Sequence, residues 1–259
     1  MSELLIEDAD GVRTLTLNRP ESFNALTTSL KELLLAAVED TAKDTSVRAV
    51  VLTGAGRAFC AGQDLKEHIG LLEAGDPAPL STVVEHYNPL VKAIIALPKP
   101  VIAAVNGTAA GAGASLAYAS DLRIAAAGAR FLMAFANVGL TADTGASWTL
   151  PRLIGHGRAM EMMLLAQPVD AAEALRIGMV GQVVPDGEAL STAQALARKL
   201  ASGPTVAFAK IKEALAFSGA LDAALEVEAR TQAEAGATED HRAAVAAFVA
   251  KEKPVFTGR

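Results

Sequence analysis

The chain has 259 residues, of which 51% are hydrophobic and 4% aromatic. A core of Ala, Val, Leu and Ile is therefore expected, in one large domain or in one domain with an appendage. The formal net charge of −6 argues against proteins that bind nucleic acid or anionic membranes. Cys60 is the only cysteine, which excludes a disulfide framework and a cysteine metal cluster and suits a reducing cytoplasm.

The first half of the chain alternates strand and helix patterns. Residues 4–7 and 12–18 predict a hairpin that turns at Asp10-Gly11. A helix is predicted over residues 27–41, because five apolar residues share one face there: Leu30, Leu33, Leu34, Ala37 and Val38. Further strands are predicted at 49–52, 101–105 and 122–125, with a helix at 80–97 that is disturbed near Asn88-Pro89. Strand, helix and strand in this order favour a parallel α/β core.

From Gly145 onward helices dominate. They are predicted at residues 157–166, 170–177, 188–201, 204–217, 221–235 and 239–250, with one more strand at 180–184. The segment from Ser202 is all helix and rich in alanine, which is typical of an appendage that docks on its own core or on a neighbouring subunit. We therefore divide the chain into a core, residues 1–201, and a helical region, residues 202–259.

Two loops rich in glycine and alanine, residues 59–64 and 106–113, follow predicted strands and lead toward helices. Small residues let backbone N–H groups approach a ligand, and helix N-termini add positive potential. Gly54-Ala55-Gly56 and Gly111-Ala112-Gly113 both lack the third glycine of a dinucleotide fingerprint. The loops are consistent with an anion site built from backbone amides, although simple packing produces the same pattern.

Asp143 has two interpretations, which the residues alone leave open. It is flanked along the chain by apolar side chains, namely Phe131, Met133, Phe135 and Trp148. It can cap a helix that begins near Thr144. Alternatively, it is a buried carboxylate whose pKa burial raises toward that of a useful proton shuttle.

Ser115 and Cys60 are the candidate nucleophiles. Gly113-Ala114-Ser115-Leu116-Ala117 comes within one residue of the nucleophile elbow G-x-S-x-G, and Asp143 and then His156 or His241 follow in the hydrolase order. Against this, the final glycine is absent, and a small serine in an alanine-rich helix usually serves packing. No residue beside Cys60 supplies an obvious base, which favours a buried, unreactive thiol. The histidines show no metal-ligand spacing.

Several stretches carry a more specific signal together than either loop alone. They are Leu17-Asn18-Arg19-Pro20 with Asn24-Ala25-Leu26, residues 56–65, residues 99–107 with the loop that follows to Asp121, residues 150–155, and Lys253-Pro254-Val255-Phe256. In this order they resemble the crotonase (enoyl-CoA hydratase/isomerase) superfamily over essentially the whole chain. The resemblance implies an α/β fold, a crotonase-like spiral of ββα units with a C-terminal helical trimerisation region, assembled as a homotrimer or hexamer.

The resemblance also implies a site for an acyl-CoA thioester. Its oxyanion hole, two backbone N–H groups that hold a thioester enolate, falls at Gln63 and Ala112. The residues expected to line the coenzyme A and substrate site are Ala25, Ala61, Gly62, Asp64, Leu65, Gly111, Phe135 and Trp148. Phe256 is expected to reach the site of a neighbouring subunit. No metal or redox cofactor is implied, since coenzyme A arrives as part of the substrate.

The departures from the family pattern bear on the reaction. Similar hydratases carry glutamates where this chain has Ser115 and Phe135, and adding water requires both activating it and delivering a proton. Asp143 stands where certain isomerases of the family carry their catalytic acid. Its surroundings most resemble the ring 1,2-epoxyphenylacetyl-CoA isomerase branch.

The sequence therefore predicts a cytoplasmic acyl-CoA isomerase. The amides of Gln63 and Ala112 hold the thioester carbonyl, Asp143 moves a proton between carbons, and apolar residues around Phe135 and Trp148 exclude water. The main alternative is an enoyl-CoA hydratase that uses Asp143 or another acid. A serine hydrolase at Ser115 and a non-catalytic acyl-CoA binder are the remaining alternatives.

Overall fold

The computed structural model describes residues 2–259, and Met1 lies outside the described residues. Its strands are β1 (Leu4–Ala9), β2 (Val12–Leu17), β3 (Ala49–Gly54), β4 (Ala58–Cys60), β5 (Val101–Val105), β6 (Thr108–Ala110), β7 (Leu122–Ala126), β8 (Arg130–Leu132), β9 (Val169–Asp170) and β10 (Gln182–Val184). Its α-helices are α1 (Thr28–Lys43), α2 (Leu65–Glu73), α3 (Asn88–Ala96), α4 (Ala112–Ala119), α5 (Ala146–Ile154), α6 (His156–Leu165), α7 (Ala171–Arg176), α8 (Ala189–Ala201), α9 (Thr205–Ala216), α10 (Leu221–Gly236) and α11 (Glu239–Ala250). Shorter turns are 3-10 helices at Pro20–Ser22 and Ala134–Val138 and a π-helix at Val83–Tyr87.

The larger sheet has six strands in the order β1-β2-β3-β5-β7-β10, and only the β1–β2 hairpin is antiparallel. Its parallel strands are buried on both faces, which is why they read as continuous apolar runs. Val50 and Leu52 of β3 face a core shared with α1 and α3, whereas Ala49 and Val51 face α8. Helix α8 covers that second face with an alanine stripe, namely Ala189, Ala193, Ala197 and Ala201.

The smaller sheet has four strands in the order β4-β6-β8-β9, and the sequence analysis missed it. β4, β6 and β8 have three residues each, too few to show the alternating pattern of a strand. Each follows a strand of the larger sheet, so that β3-β4-α2 and β5-β6-α4 are successive ββα units. The expected ββα spiral is therefore present, and its second sheet places both glycine- and alanine-rich loops on neighbouring strands.

Helix α1 buries a different face from the one expected. Leu30 and Leu34 are fully buried as predicted, but Leu33 is 42% exposed, so its placement on the core face was wrong. Lys31 is buried instead, at 1% exposure. The helix is capped by Thr27, whose hydroxyl accepts the amide of Leu30 at 3.0 Å.

Helices α9 to α11 form the C-terminal region. In α9 the ammonium of Lys212 lies 2.7 Å from the Asp121 carboxylate and donates to the carbonyl of Lys99 at 2.9 Å. Burial raises the pKa of Asp121 and lowers that of Lys212, so each charge depends on its partner. This pair ties α9 to the edge of the larger sheet. The division at residues 201 and 202 stays a prediction.

The same region exposes large apolar side chains: Leu215, Leu221, Phe248 and Val249 are 72–84% exposed. Exposed apolar sets of this kind are typical of interaction surfaces. Within residues 2–259, none of the helices combines the length and the apolar character that a bilayer crossing demands.

Replacing Lys212 by alanine should destabilise the protein strongly, because Asp121 would remain buried without its cation. We expect a loss of about 3 kcal/mol in the free energy of unfolding, measured by urea denaturation. Arg176→Ala is the control, since its pair with Glu173 is exposed and its loss should leave the midpoint unchanged. Equal effects of the two variants would contradict the structural role assigned to Lys212.

Candidate active site

The two glycine- and alanine-rich loops contact each other backbone to backbone. Strands β4 and β6 are parallel neighbours, so the loops leave the same end of the small sheet. A Cβ atom on Gly113 would lie 2.2 Å from the carbonyl oxygen of Cys60, and one on Gly62 would lie 2.8 Å from that of Ala110. Gly62 also has a positive φ of 92°. Neither position can accept a larger residue without moving the other loop.

The amides of Gln63 and Ala112 lie at this contact. A Cβ on Gly62, the residue before Gln63, would be 3.3 Å from the amide nitrogen of Ala112. Ala112 is the first residue of α4, where N–H groups have no partner within the helix. Among the hydrogen bonds of residues 2–259, none has either of these amides as its donor. Both can therefore donate to a ligand oxygen, as the predicted oxyanion hole requires.

The first loop is held on its outer side by Leu26 and Asp64. The amide of Leu26 donates to Gly62 at 2.7 Å, and the Leu26 carbonyl accepts the amide of Asp64 at 3.0 Å. The Asp64 carboxylate caps α2 by accepting from the amides of Lys66 and Glu67. It also pairs with Arg19 at 2.7 Å. Asp64 thus fixes the loop.

The remaining predicted coenzyme A residues of this loop lie around the same point. Ala25 is almost buried, and its carbonyl accepts from Arg19 at 2.6 Å. Ala61 is exposed, and Leu65 is 61% exposed at the start of α2. The structure therefore brings Ala25, Ala61, Gly62, Asp64 and Leu65 together, while their contacts with coenzyme A stay a prediction.

The side chain of Gln63 has partners that the sequence did not reveal. Its Oε1 atom accepts from the ammonium of Lys31 at 3.1 Å and from the hydroxyl of Tyr87 at 2.7 Å. The Lys31 ammonium also donates to Thr82 and lies 4.7 Å from the centroid of the Tyr87 ring. The only sequence signal for Lys31 was its place between apolar residues on α1, beside Leu30 and close to Leu34.

Asp143 is a partly buried carboxyl and not a helix cap. The N-cap of α5 is Gly145, which provides no side-chain hydrogen bond, so the capping interpretation was wrong. The Asp143 carboxylate instead accepts from the Thr144 hydroxyl at 2.8 Å. Burial raises the pKa of Asp143, and the Thr144 hydrogen bond and the charge of Lys31 oppose that rise. Because the charge of Lys31 acts on Asp143 and Lys31 binds Gln63, Asp143 belongs to the surroundings of the Gln63 loop.

Tyr87 is a second residue on which the charge of Asp143 acts. Burial raises the pKa of its phenol well above 10, and the negative charge of Asp143 adds to the rise. Tyr87 is 1% exposed. It therefore lies near the Asp143 carboxyl while its hydroxyl donates to Gln63.

The second loop brings Gly111 and Phe135 together. Gly111 caps α4, and its amide donates to the carbonyl of Leu132 at 2.8 Å. Phe135 lies in the 3-10 turn that follows β8, where its ring would be 3.8 Å from a Cβ on Gly111. Phe135 therefore forms an apolar wall beside Gly111, the residue that precedes Ala112.

Trp148 and Phe256 have contacts outside the two glycine- and alanine-rich loops. The indole of Trp148 stacks on the guanidinium of Arg152 at 3.8 Å. It lines a cavity of about 430 Å³ that Tyr118 of α4 and Phe208 of α9 also border. Phe256 belongs to the C-terminal tail, where its carbonyl accepts from Arg48 at 3.1 Å. The structure does not bring Trp148 to the same wall as Phe135, and the contact of Phe256 with a neighbouring subunit stays a prediction.

Ser115 and Cys60 are buried and engaged in hydrogen bonds. The Ser115 hydroxyl donates to the carbonyl of Gly111 at 3.0 Å inside α4, and Ser115 is 0% exposed. A nucleophile elbow exposes its serine, so the serine-hydrolase interpretation was wrong. Cys60 donates to the carbonyl of Asn24 at 3.1 Å, and burial raises the pKa of its thiol to about 12. Both residues serve packing.

Comparison with known proteins agrees with this geometry. The model of the enoyl-CoA hydratase/isomerase family matches residues 7–259, so the chain belongs to that family and is an enzyme of it. The 1,2-epoxyphenylacetyl-CoA isomerase of Escherichia coli K12 is 46% identical over 264 residues, covering 100% of both chains. A Rhodobacter capsulatus protein named probable enoyl-CoA hydratase is 46% identical over 256 residues, covering 98% of this chain and 97% of its own.

The fold is likewise shared with solved members. A crystal structure of the enoyl-CoA hydratase/isomerase type from Mycobacterium abscessus superposes with a TM-score of 0.94 at 45% identity. It covers 99% of this chain and 100% of its own. The α/β spiral predicted from the sequence is thereby confirmed.

Replacing Gly113 by alanine should separate the two loops, because its Cβ would lie 2.2 Å from the Cys60 carbonyl oxygen. We expect kcat on an acyl-CoA substrate to fall about 100-fold or more, the scale of losing one oxyanion donor. Gly157→Ala is the control, since nothing lies within 4 Å of its Cβ position. Full activity of the Gly113 variant would refute the required close approach.

Proposed function

We propose that this enzyme is an acyl-CoA isomerase that stabilises a thioester enolate and moves a proton with Asp143. The observation that carries the proposal is a partly buried carboxyl of raised pKa together with two loop amides that no protein acceptor occupies within residues 2–259. Ser115 and Phe135 stand at the two positions where hydratases similar to this chain carry glutamates. One carboxylate can take a proton from one carbon and return it to another, which is the requirement of an isomerisation.

The steps follow from the arrangement of the loops. The thioester carbonyl accepts hydrogen bonds from Gln63 and Ala112, so the negative charge of an enolate is stabilised as it develops. This makes the α-carbon acidic enough for a carboxylate to deprotonate. Asp143 accepts that proton and delivers it to a second carbon. The ring of Phe135 keeps water from the intermediate.

The proposed substrate class is ring 1,2-epoxyphenylacetyl-CoA in phenylacetate catabolism. It is supported by 46% identity, over both full lengths, to the Escherichia coli 1,2-epoxyphenylacetyl-CoA isomerase. Coenzyme A is part of the substrate, and neither a metal nor a redox cofactor enters the proposed steps. An acyl-CoA panel followed by mass spectrometry, including ring-epoxide and enoyl thioesters, tests the assignment. Turnover of enoyl thioesters alone would overturn it.

We further propose that the enzyme is cytoplasmic and assembles as a homotrimer or hexamer through residues 202–259. The exposed apolar side chains of α9 to α11, among them Leu215 and Phe248, support an assembly. Coenzyme A thioesters and a single cysteine suit the cytoplasm. Light scattering that returned a monomer mass would refute the assembly.

An enoyl-CoA hydratase is the second candidate, and the 46% identity to the Rhodobacter capsulatus relative favours it. Against it, the Ser115 hydroxyl is committed to the Gly111 carbonyl, and Phe135 has no ionisable group. Crotonyl-CoA in water labelled in its oxygen and hydrogen atoms separates the two reactions. We expect label in C–H bonds and none in a hydroxyl group, and a labelled 3-hydroxyacyl product would establish hydration.

Asp143→Asn should reduce kcat/KM about 10²- to 10⁴-fold, because the amide cannot accept the proton. Binding of coenzyme A, measured by calorimetry, should be unchanged. In the native enzyme kcat/KM should fall as the pH drops through the raised pKa of Asp143, since the carboxylate is the active form. Asp186→Asn, a carboxylate that binds the amide of Gly128, is the control.

The outcome that contradicts this assignment is activity of Asp143→Asn within a few-fold of the native enzyme. A thermal shift with coenzyme A but no turnover by the native enzyme over the acyl-CoA panel would instead establish the non-catalytic binder.

A further inference from the structure

A buried polar cluster lies behind the first loop, formed by Lys31, Gln63, Thr82 and Tyr87. Lys31 is 1% exposed although it is a lysine, and it lies near the start of α1. Its ammonium donates to Gln63 and Thr82 and lies over the Tyr87 ring. All of its donors are thereby directed into the protein.

Such a lysine needs an explanation, because burial disfavours the charged form and lowers its pKa. A leucine or methionine would fill the same volume between Leu30 and Leu34 without that cost. The acceptor that the donors of this cluster bind therefore explains why a lysine is buried here. Two of them, on Lys31 and Tyr87, converge on a single acceptor, Gln63 Oε1.

Gln63 directly follows Gly62, whose Cβ position lies 3.3 Å from the amide nitrogen of Ala112. Two hydrogen bonds to Oε1 restrict its side-chain rotation and, through Cα, the orientation of its peptide. The Leu26 backbone holds residues 62 and 64 on either side of Gln63, whereas Lys31 and Tyr87 hold the Gln63 side chain itself. Lys31 and Tyr87 are thus the interior anchor of this oxyanion donor.

Charge is the second consequence of the cluster. The groups that act on Lys31 are Glu67 of α2, Asp143, and Glu32 of α1. On the π-helical side, His86 contacts the Thr82 hydroxyl through Nδ1 at 3.1 Å and lies 3.8 Å from Glu32. Lys31 is the nearby cation that opposes the effect of burial on the Asp143 carboxyl.

We propose that Lys31 is a positioning residue for the proton transfer: with Tyr87 it binds Gln63 Oε1 and thereby orients the Gln63 peptide. This inference rests on the proposed isomerase function. Lys31 does not touch substrate in this arrangement, because its ammonium is engaged with Gln63, Thr82 and Tyr87. It acts through Gln63 and Asp143, which touch the substrate in the proposed function.

The orienting role is tested by a double-mutant cycle with Tyr87→Phe and Gln63→Met. Both variants keep the backbone amide of residue 63 and remove one end of the same hydrogen bond. The reaction is exchange of the α-hydrogens of phenylacetyl-CoA in deuterated water, followed by mass spectrometry. We expect each variant to lower kcat about 10- to 100-fold with little change in KM, and the double variant to be no slower than the slower single. Unchanged kcat, or losses that multiply, would overturn this role.

The charge role is tested with Lys31→Met and, as a polar alternative for folding, Lys31→Gln. Because the charge of Lys31 lowers the pKa of Asp143, removing that charge should move the acidic limb of the kcat profile to higher pH. Gln63→Met should leave that limb in place. Lys99→Met is the matched control, since Lys99 is also buried but donates to the carbonyls of Thr41 and Asp44.

The outcomes separate the two proposals. If Asp143→Asn leaves α-hydrogen exchange unchanged, the proposed function fails. If Asp143→Asn abolishes exchange while folded Lys31 variants keep the native kcat and limb, only the role of Lys31 is refuted. A limb that moves equally in Lys99→Met would also refute it. Should both Lys31 variants fail to fold, the Tyr87 and Gln63 cycle still decides the orienting role.

Discussion

The close approach of two backbone segments is the constraint on which this site depends. Gly113 lies against Cys60 and Gly62 lies against Ala110, with no room for a Cβ at either place. Pairing of β4 with β6 brings the segments to this distance. Neither the Gln63 amide nor the Ala112 amide has an acceptor within residues 2–259, so both are available for the oxyanion site that we propose. Preorganised donors of this kind cost no reorganisation during the reaction.

Burial and charge have opposite effects on the pKa values of Asp143 and Lys31. Removing water raises the pKa of Asp143 and lowers that of Lys31, while each charge stabilises the other. A carboxylate whose pKa burial raises is a stronger base than an exposed one. The same lysine also holds Gln63, so the proposed oxyanion donor and the proposed proton acceptor share one support.

The fold could be predicted from the sequence wherever an element is long. The strands of the larger sheet and the helix from Thr28 to Lys43 carry a clear apolar period, and they were found close to their bounds. The smaller sheet was missed because strands of three residues carry no period. Helix α2 was missed although Leu65, Ile69 and Leu72 recur at helical spacing, and all three are exposed in the structure. Leu33 was wrongly placed on the buried face of α1, because only the packing of the helix against the core decides which of its apolar residues are buried.

The sequence by itself determined the family and the α/β spiral, because runs of small residues and ordered motifs are local properties of the chain; the two oxyanion amides stay a prediction. Tertiary structure alone decided what the side chains do. It showed Asp143 as a partly buried carboxyl and Ser115 as a packing residue, set Trp148 against α9, and joined Lys31 and Tyr87 to Gln63. The direction of a side chain and its burial depend on segments far apart in the chain, and no local pattern records them.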